Sequence, residues 1–288
     1  MHYKDVKGIL SAKNGMNVYR GCTHGCIYCD SRSLCYHIDH AFTDIEVKRN
    51  APELLEEALR KKRKKCMIGT GAMCDPYMHC EAEVQNTRKC LEIADKYGFG
   101  MTLITKSDMI LRDIDLLDSI NRQSKCVVQM TMTTYDEELC RKIEPNVCTT
   151  HRRFEVLMEM KKRGIPTVVW LTPILPFIND TEENLRGLLN YCYEANVKGI
   201  ITYGFGLTLR EGNREYFYSK LDENFAGIKE RYIAKYGMSY ECMSDNSSRL
   251  MQILHSECKK HGIMCDNNKI FRYLNEFPDE DDMQLRFF

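Results

Sequence analysis

The segment YRGCTHGCIYCD, residues 19–30, contains three cysteines, a histidine and two glycines within twelve positions. Cys22, Cys26 and Cys29 follow a C-x3-C-x2-C spacing. Thiolates this close in sequence are typical ligands of zinc or of an iron–sulfur cluster. Most protein metal sites have four ligands, so the segment raises the question of what occupies the fourth position.

The cysteine segment stands at the start of a regular alternation of short apolar runs and helical patterns. Six β-prone runs are predicted to be strands: 16–20, 66–71, 101–105, 126–133, 165–172 and 199–204. Repeated strand–helix alternation predicts an α/β fold with a parallel sheet and crossover helices. Six such units, where a complete barrel has eight, predict a partial, open (β/α)6 barrel of the TIM type. In these folds the chemistry lies at the carboxyl ends of the strands, where the cysteine segment falls.

Helical periodicity fills the intervals between the predicted strands and continues after them. Three amphipathic patterns lie between strands, at 52–65, 150–164 and 181–195. After residue 205 the alternation stops, and two longer helical patterns follow, at 220–237 and 247–262. We therefore predict a core barrel over residues 1–205 and a C-terminal helical extension over residues 206–288 that packs on it.

The composition is that of an ordinary globular chain. Of 288 residues, 43% are hydrophobic and 28% are charged, and 41 basic residues balance 41 acidic ones. A net charge of zero gives no overall attraction to nucleic acid or membrane. No apolar run approaches the roughly 20 residues of a membrane helix, and the first fifteen residues lack the apolar core of a signal peptide. A cytoplasmic location and no membrane partner are therefore expected.

The chain contains fifteen cysteines, an odd and high number. Because cytosolic thiols stay reduced, clustered cysteines in such a protein indicate metal or redox chemistry rather than disulfides. Scattered cysteines in apolar periodic segments are better interpreted as small buried hydrophobic residues. Only the cysteines of the segment 22–29 have a spacing that by itself indicates a metal site.

Two kinds of metal site fit three clustered thiolates. A structural zinc ion would need a fourth ligand, and the nearest candidates downstream, Cys35 and His37, lack a pair-like spacing. An iron–sulfur cube held by three cysteines would leave one iron with an open position, the feature that separates a working metal from a structural one. Gly21 and Gly25 let the loop wrap around something larger than one ion. The spacing favours a cluster, with a non-catalytic zinc or iron–sulfur protein as the alternative.

The C-x3-C-x2-C spacing, with Tyr28 directly before the third cysteine, resembles the signature of the radical S-adenosylmethionine (SAM) superfamily. The resemblance implies that Cys22, Cys26 and Cys29 hold a 4Fe–4S cluster whose unique iron binds SAM, with Tyr28 among the cofactor-binding residues. It implies reductive cleavage of SAM to a 5′-deoxyadenosyl radical that abstracts hydrogen from a substrate. It also implies an external one-electron reductant of the flavodoxin or ferredoxin type. The partial (β/α)6 barrel of the superfamily agrees with the six strands counted above.

Four further segments resemble the spore photoproduct lyase-like branch, often called DNA repair photolyase-like. They are GAMCDPYMHCE (71–81), LITKSDMILRDIDLL (103–117), MTMTTYDEELCRKIEP (130–145) and WLTPILPFIND (170–180). The branch implies DNA lesion repair as one possible activity. Where the lyase has a tyrosine after the third cluster cysteine, however, this chain has Asp30, which argues against its thymine-dimer chemistry.

Polar residues at the predicted strand ends are candidates for binding SAM. Lys106 closes the third strand, and the resemblance implies contact with the SAM carboxylate, against a surface lysine as the alternative. Thr131 and Thr133 are expected on one face of the fourth strand, where they bind SAM or simply suit a strand. Asp75, held in a turn by Pro76, either contacts the SAM amino group or caps the turn.

Cys74 is the candidate catalytic residue, as a hydrogen donor. Spore photoproduct lyase carries a cysteine after the second strand that returns a hydrogen atom to the product radical. That cysteine aligns with Ala72 here, and Cys74 is displaced by two residues, which keeps the same face of an extended chain. A buried structural thiol is the alternative.

Several other features have a structural interpretation beside a functional one. Asn179 or Asp180 is expected to cap the helix that follows. The basic run at 60–65 either touches phosphates or is a solvated helix end. Three cysteines of the C-terminal part are either an auxiliary metal site or ordinary buried thiols: Cys242, Cys258 and Cys265. Five aromatic residues either stack on a nucleic-acid base or form the packing seam between the barrel and the C-terminal extension: Tyr203, Phe205, Tyr216, Phe217 and Tyr218. The substrate is not identified by the sequence, and a nucleic acid is one possibility.

Overall fold

A computed structural model describes residues 1–278. The strands are β1 (His2–Lys4), β2 (Gly15–Met16), β3 (Tyr19–Arg20), β4 (Glu46–Lys48), β5 (Met67–Thr70), β6 (Gly100–Thr105), β7 (Cys126–Thr131), β8 (Thr167–Trp170), β9 (Gly199–Ile201), β10 (Gly206–Thr208) and β11 (Glu241–Met243). The α-helices are α1 (Ala51–Lys61), α2 (Glu81–Val84), α3 (Asn86–Lys96), α4 (Ile114–Gln123), α5 (Glu137–Ile143), α6 (Thr150–Lys162), α7 (Glu182–Glu194), α8 (Asn213–Asn224), α9 (Ile228–Tyr236), α10 (Ser247–His261) and α11 (Asn267–Asn275).

The central sheet has six strands in the order β2-β5-β6-β7-β8-β9, and every neighbouring pair is parallel. Each strand therefore lies beside the next one of the sheet along the chain, as in a barrel that is not closed. The prediction of a partial (β/α)6 barrel is confirmed. The first strand is shorter than expected, because Tyr19 and Arg20 turn away to pair with β4 in a separate three-stranded sheet, β1-β4-β3.

The two faces of the central sheet are covered by different elements. Alternate strand residues such as Met101, Val128 and Val169 pack in one core with apolar residues of α1, α3, α4, α6 and α7. Their neighbours Val127 and Val168 point to the opposite face. There, together with Ile201, they pack against Ile270 and Leu274 of α11. The last described helix thus covers the concave side of the sheet.

The three helices predicted between strands are present as α1, α6 and α7, with one correction at a helix start. Neither Asn179 nor Asp180 caps α7; Thr181 does, and its hydroxyl accepts a hydrogen bond from the Asn184 amide at 3.1 Å. Asn179 is used elsewhere, donating to the Thr133 carbonyl at 3.0 Å. Asp180 accepts from the Ser244 hydroxyl at 2.5 Å. Tertiary contacts therefore take both side chains that local sequence offered as caps.

The C-terminal part contains helices, as expected, and also a strand pair that the sequence did not predict. β10 and β11 pair antiparallel. The predicted helix at 220–237 is divided into α8 and α9 at Gly227, which has a left-handed φ of 77°. α10 packs against α7. The predicted division at residue 205 falls between β9 and β10, and separate units stay a prediction. The chain ends in an acidic and then aromatic segment, FPDEDDMQLRFF (277–288), most of which lies outside the described residues.

No helix within residues 1–278 combines the length and the hydropathy that crossing a membrane requires.

Candidate functional site

The cysteine loop begins directly after β3, beside the carboxyl edge of the central sheet, and two glycines determine its path. Gly21 has a φ of 87°, and a Cβ there would lie 2.6 Å from the Phe42 carbonyl oxygen. That carbonyl accepts the Cys22 amide at 2.9 Å. Gly25 has a φ of 73°, and its Cβ would lie 2.9 Å from Nδ2 of Asn146. The loop is therefore closely packed at both glycines, where other residues would collide with their neighbours.

The three thiols are spaced for a group larger than one ion. Tetrahedral zinc with Zn–S bonds of about 2.3 Å would bring its sulfur ligands to about 3.8 Å from one another. Cys22, Cys26 and Cys29 do not form a ligand set within 4.8 Å, a limit that only His2, His40 and Glu46 meet among residues 1–278. A cluster held at its corners suits this wider spacing. The donor set and the close wrapping of the loop both fit an iron–sulfur cube.

Cys22 and Cys26 lie in an environment that disfavours their free thiolates. Burial raises the pKa of Cys26 to about 12. Burial also raises the pKa of Cys22 well above its usual value, and the charges of Cys26 and Cys29 add to the effect. Metal binding requires deprotonated sulfur. The positive charge of a bound metal must therefore offset the free-energy cost of burying the thiolates and of the repulsion between them.

A buried ion pair supports the cysteine loop from below. The Tyr28 hydroxyl donates to the Glu144 carboxylate, whose Oε2 lies 2.6 Å from Nη1 of Arg153. Glu144 and Arg153 have fully buried side chains. The Arg153 guanidinium also donates to the backbone carbonyls of three residues, Lys106, Thr131 and Cys148. The network thus connects Tyr28 to the ends of β6 and β7.

The Lys106 ammonium faces the cysteine loop. Its Nζ lies 5.9 Å from the centre of the Tyr28 ring. Burial acts to lower the pKa of Lys106, but Cys26, Glu144 and Asp75 outweigh it and leave that pKa above its usual value. Glu144, however, is paired with Arg153, and the Asp75 carboxylate accepts hydrogen bonds from the Thr105 hydroxyl and the Lys106 amide. Lys106 is therefore a charged group without a dedicated carboxylate partner in the described chain.

Asp75 ties the ends of two strands together. Its Oδ1 accepts from the Thr105 hydroxyl at 2.7 Å, and its Oδ2 accepts from the Lys106 amide at 2.8 Å. His24 of the cysteine loop approaches Oδ2 at 3.6 Å. Burial lowers the pKa of His24, and Asp75 only partly offsets it. His24 was not predicted as a site residue, although it lies within residues 19–30 between two of the three cysteines. Contact of Asp75 with SAM stays a prediction.

The two candidate threonines do not share a strand face. β7 ends at Thr131, which is buried at the strand end. Thr133 lies beyond the strand, fully buried, with its hydroxyl 3.3 Å from that of Thr134. Its carbonyl accepts from the side-chain amides of Asn179 and Asn184. The expected strand position was wrong for Thr133, because β7 ends at Thr131.

Cys74 lies at a cavity beside the cysteine loop. Its thiol donates to the Tyr19 carbonyl at 2.9 Å, and burial raises its pKa to about 12. Ala72, the aligned position, is exposed. The cavity has a volume of about 370 Å³, and its charged lining residues are Lys4, Arg20, Glu46 and Lys48. Burial lowers the pKa of Lys48.

Asp30 connects the cysteine loop to the C-terminal part of the chain. Its carboxylate accepts from the Tyr36 hydroxyl at 2.8 Å and from the Ser33 hydroxyl at 3.1 Å. Nη1 of Arg210 lies 3.7 Å away. The residue that departs from the lyase pattern is thus held in a local polar network.

The remaining candidates lie apart from the cysteine loop. Cys242 and Cys258 are buried in two different apolar clusters, and Cys258 contacts Cys265. In the basic run, Lys61 pairs with Glu57 and Lys65 donates to a backbone carbonyl. Of the aromatic residues, Phe205 and Phe217 are fully buried core residues, whereas Tyr203 is 63% exposed. The packing interpretation fits the two phenylalanines.

A partial α/β barrel with a three-thiol loop at the carboxyl edge of its first strand defines the class of the protein as an iron–sulfur α/β protein. Residues 16–211 match the Radical SAM superfamily. The match covers well over half of the chain, and the chain belongs to that superfamily. Its members use a 4Fe–4S cluster and SAM, which confirms the two predicted cofactors.

The relatives include proteins from several kinds of organism. The chain is 28% identical over 225 residues to an uncharacterised protein of Mycobacterium tuberculosis, covering 75% of this chain and 65% of that protein. It is 31% identical over 176 residues to an uncharacterised protein of Methanocaldococcus jannaschii, covering 60% and 65%. It is 22% identical over 173 residues to the radical SAM Nalpha-GlyT isomerase of Pseudomonas phage M6, covering 58% and 34%. The chain thus spans 65% of the length of the mycobacterial and archaeal relatives.

Solved structures share the fold at low sequence identity. Spore photoproduct lyase, solved as a mutant with AdoMet and dinucleoside spore photoproduct, superposes with a TM-score of 0.62 at 12% identity, covering 86% of this chain and 74% of that one. The radical SAM methyltransferase TsrM from Kitasatospora setae, solved with cobalamin and a 4Fe–4S cluster, gives a TM-score of 0.50 at 14% identity, covering 68% and 37%. These similarities show the fold.

Proposed function

We propose that this protein is a radical SAM enzyme in which Cys22, Cys26 and Cys29 hold the 4Fe–4S cluster. The observation that carries the proposal is the cysteine loop itself, which lies at the carboxyl edge of the parallel sheet beside the Lys106 ammonium. Three thiolates would leave one iron of such a cluster without a protein ligand, which is the open position that SAM needs. When bound, the reduced cluster and SAM supply a 5′-deoxyadenosyl radical, and an external one-electron donor of the flavodoxin or ferredoxin type supplies the electron.

The residues around the loop have separate roles in this proposal. Lys106 offers a cation to the SAM carboxylate, because Glu144 is already paired with Arg153 and Asp75 is hydrogen-bonded to the Thr105 hydroxyl and the Lys106 amide. Thr131 offers a buried hydroxyl at the adjacent strand end. Tyr28 acts through its hydroxyl as a positioning residue, since that group is committed to Glu144. Asp75 positions the ends of β5 and β6.

The cavity beside Cys74 is the proposed substrate site. Burial raises the pKa of the Cys74 thiol to about 12, so this thiol stays protonated at neutral pH. A protonated thiol retains the S–H hydrogen that a substrate radical would take up. Three cations and one carboxylate line the cavity, which favours a substrate with an anionic group. Cys74 is thus the proposed hydrogen donor and Lys48 the nearby cation.

DNA lesion repair of the spore photoproduct type is the alternative reaction. Its support is the fold shared with spore photoproduct lyase. Against it stand the neutral net charge and the position of Asp30, whose carboxylate is bonded to Tyr36 and Ser33. A non-catalytic metal-binding role is the second alternative.

The first test separates an enzyme from a structural metal protein. Anaerobically reconstituted protein is analysed for iron and sulfide, then mixed with SAM and a reductant, and 5′-deoxyadenosine is measured. We expect cluster-level iron and sulfide and SAM cleavage, both lost in Cys26→Ala. The matched control Cys35→Ala changes an exposed cysteine and should retain both. Zinc without sulfide, or no 5′-deoxyadenosine from fully loaded protein, would refute the proposal.

A second experiment searches for the substrate. UV-damaged DNA, RNA and small anionic metabolites are added separately, and 5′-deoxyadenosine formation is compared with the background of SAM cleavage without substrate. A substrate should raise the rate in the wild-type protein and much less in Lys48→Met, because the variant lacks the cavity cation. Stimulation by neutral compounds alone would contradict the anionic class.

A further inference from the structure

Three metal-ligating side chains converge at the three-stranded sheet β1-β4-β3, and none of them belongs to the cysteine loop. One ligand atom each of His2, His40 and Glu46 lies within 4.8 Å of the other two. His2 and Glu46 are register partners on the parallel strands β1 and β4, so their side chains share a face. His40 comes from the loop that leads into β4. The set therefore joins two strands and a loop.

The hydrogen bonds of both imidazoles leave a nitrogen lone pair free for a metal. Nδ1 of His2 lies 2.9 Å from Oδ2 of Asp44, and Nδ1 of His40 lies 3.0 Å from the Ala41 carbonyl oxygen. A carbonyl or an ionised carboxylate only accepts, so each imidazole donates through Nδ1 and keeps its lone pair on Nε2. Ligating histidines typically have this arrangement, with the second nitrogen held by a carboxylate or a carbonyl.

The site is partly sheltered from solvent, with the His2 side chain 40% exposed. Nε2 of His40 is buried and has no hydrogen-bond partner within residues 1–278. Nε2 of His2 lies 4.0 Å from Oε2 of Glu46, whose side chain is only 3% exposed. A buried nitrogen without a partner is costly, and a metal ion would satisfy it.

We propose that His2, His40 and Glu46 form a second metal site for a divalent transition ion of the zinc class. Two imidazoles and one carboxylate are a known ligand set for zinc, with water as a fourth ligand. Metal–ligand bonds of 2.0–2.2 Å would bring the ligand atoms to about 3.4 Å from one another. The three ligand atoms, now within 4.8 Å of one another, would have to approach only a little further. Asp44 would act behind His2 as an orienting carboxylate.

One existing interaction would have to change. Nζ of Lys4 lies 2.9 Å from Oε2 of Glu46. The Lys4 side chain is 49% exposed, so it can turn to solvent when the metal binds. The metal would then link β1 to β4 and to the loop that carries His40. Because β1 has only three residues, this link would stabilise one wall of the cavity that contains Cys74.

The test measures zinc directly and does not depend on enzymatic activity. The protein is purified without a polyhistidine tag, reconstituted with its iron–sulfur cluster, and dialysed against buffered zinc. Zinc, iron and sulfide are then counted by elemental analysis. We expect about one zinc ion per chain in the wild type, and binding reduced below detection in His40→Gln and Glu46→Gln. Asp44→Asn should weaken zinc affinity by about 10–100-fold.

The control is His37→Gln, which changes an exposed histidine of the same loop and should keep full zinc binding. Unchanged iron content in every variant shows that the chain remains folded and that zinc is not displacing the cluster. Zinc retained in His40→Gln, or no zinc in the cluster-loaded wild type, would overturn the inference. Neither result would bear on the proposed radical SAM activity.

Discussion

The guanidinium of Arg153 lies 2.6 Å from the carboxylate of Glu144, and both side chains are fully buried beneath the cysteine loop. Glu144 accepts a hydrogen bond from the Tyr28 hydroxyl, and Arg153 donates to backbone carbonyls at the ends of β6 and β7. The pair therefore connects the loop to the strand ends that carry Lys106 and Thr131. Neither residue of the pair was singled out from the sequence.

Glu144→Gln is expected to destabilise the chain strongly. Removing one charge of a buried pair leaves Arg153 uncompensated, which typically costs about 3–5 kcal/mol. Urea unfolding of the reduced, metal-free chain measures the loss. Glu138→Gln, on the helix α5 that ends just before Glu144 and in an exposed pair with Lys142, should change stability by less than about 1 kcal/mol. Equal effects of the two substitutions would contradict the structural role of the pair.

The stabilisation from Glu144 should depend on pH. Burial alone would raise the pKa of Glu144, but Arg153, Lys106 and Tyr28 together leave it below its ordinary 4.5. A carboxyl group with a lowered folded pKa stabilises the fold above its unfolded pKa and loses that effect as pH falls through the folded value. The stability difference between wild type and Glu144→Gln should therefore be constant above about pH 5.5 and shrink in acid. A difference that grows in acid would show the opposite linkage.

Tyr28→Phe should lower stability while retaining the metal site. The variant keeps the ring beside Lys106 and removes only the hydroxyl bonded to Glu144. Loss of a hydrogen bond to a charged group costs about 1.5–3 kcal/mol. Iron and sulfide content should stay at the wild-type level, in contrast to Cys26→Ala. Loss of the cluster without loss of stability would instead assign Tyr28 to direct cofactor binding.

Gly25→Ala should interfere with cluster assembly, and Gly164→Ala provides its control. Both glycines have left-handed φ values, 73° and 67°, so both substitutions carry a backbone cost of about 1–2 kcal/mol. Only at Gly25 would the new Cβ collide, at 2.9 Å from Asn146, whereas nothing lies within 4 Å at Gly164. We expect reduced iron incorporation in Gly25→Ala alone. Equal iron content in the two variants would show that the loop tolerates the extra atom.

Lys106→Met should weaken SAM binding without removing the cluster. The substitution keeps an apolar stem and deletes the ammonium proposed to meet the SAM carboxylate. Loss of about 1.4 kcal/mol corresponds to a tenfold weaker affinity, which equilibrium binding of SAM to the reconstituted protein measures. Lys65→Met, near the amino end of β5 on the opposite edge of the sheet, is the control. Unaltered SAM affinity in Lys106→Met would exclude the contact.

Cys74→Ala should separate the two halves of the proposed reaction. Hydrogen abstraction does not require this thiol, so iron content and 5′-deoxyadenosine formation should persist. The yield of final product should fall, measured with a substrate that stimulates 5′-deoxyadenosine formation in the wild-type protein. Cys90→Ala replaces a fully buried thiol of the main core and should leave product formation intact in the folded protein. Normal product yield in Cys74→Ala would return Cys74 to a structural role.

Local patterns were sufficient for the six strands of the central sheet and for most helices, and the metal-ligand role of the cysteine loop stays a prediction. Strand and helix periodicity, the glycines at 21 and 25, and the cysteine spacing are all properties of short segments, and short segments are what sequence reasoning can interpret. The cap of α7 was predicted at the wrong residue, because Asn179 and Asp180 bond to distant groups. The expected strand position of Thr133 was also wrong, because β7 ends at Thr131.

The sequence by itself determined the partial barrel, the superfamily and its two cofactors, because each depends on periodicity or on a spacing within a few residues. Only the tertiary structure decided that Glu144 and Arg153 support the loop, that His24 approaches Asp75, and that α11 covers the concave face of the sheet. His2, His40 and Glu46 likewise meet only in space. Such contacts depend on how separate segments pack, and no local pattern of residues encodes that packing.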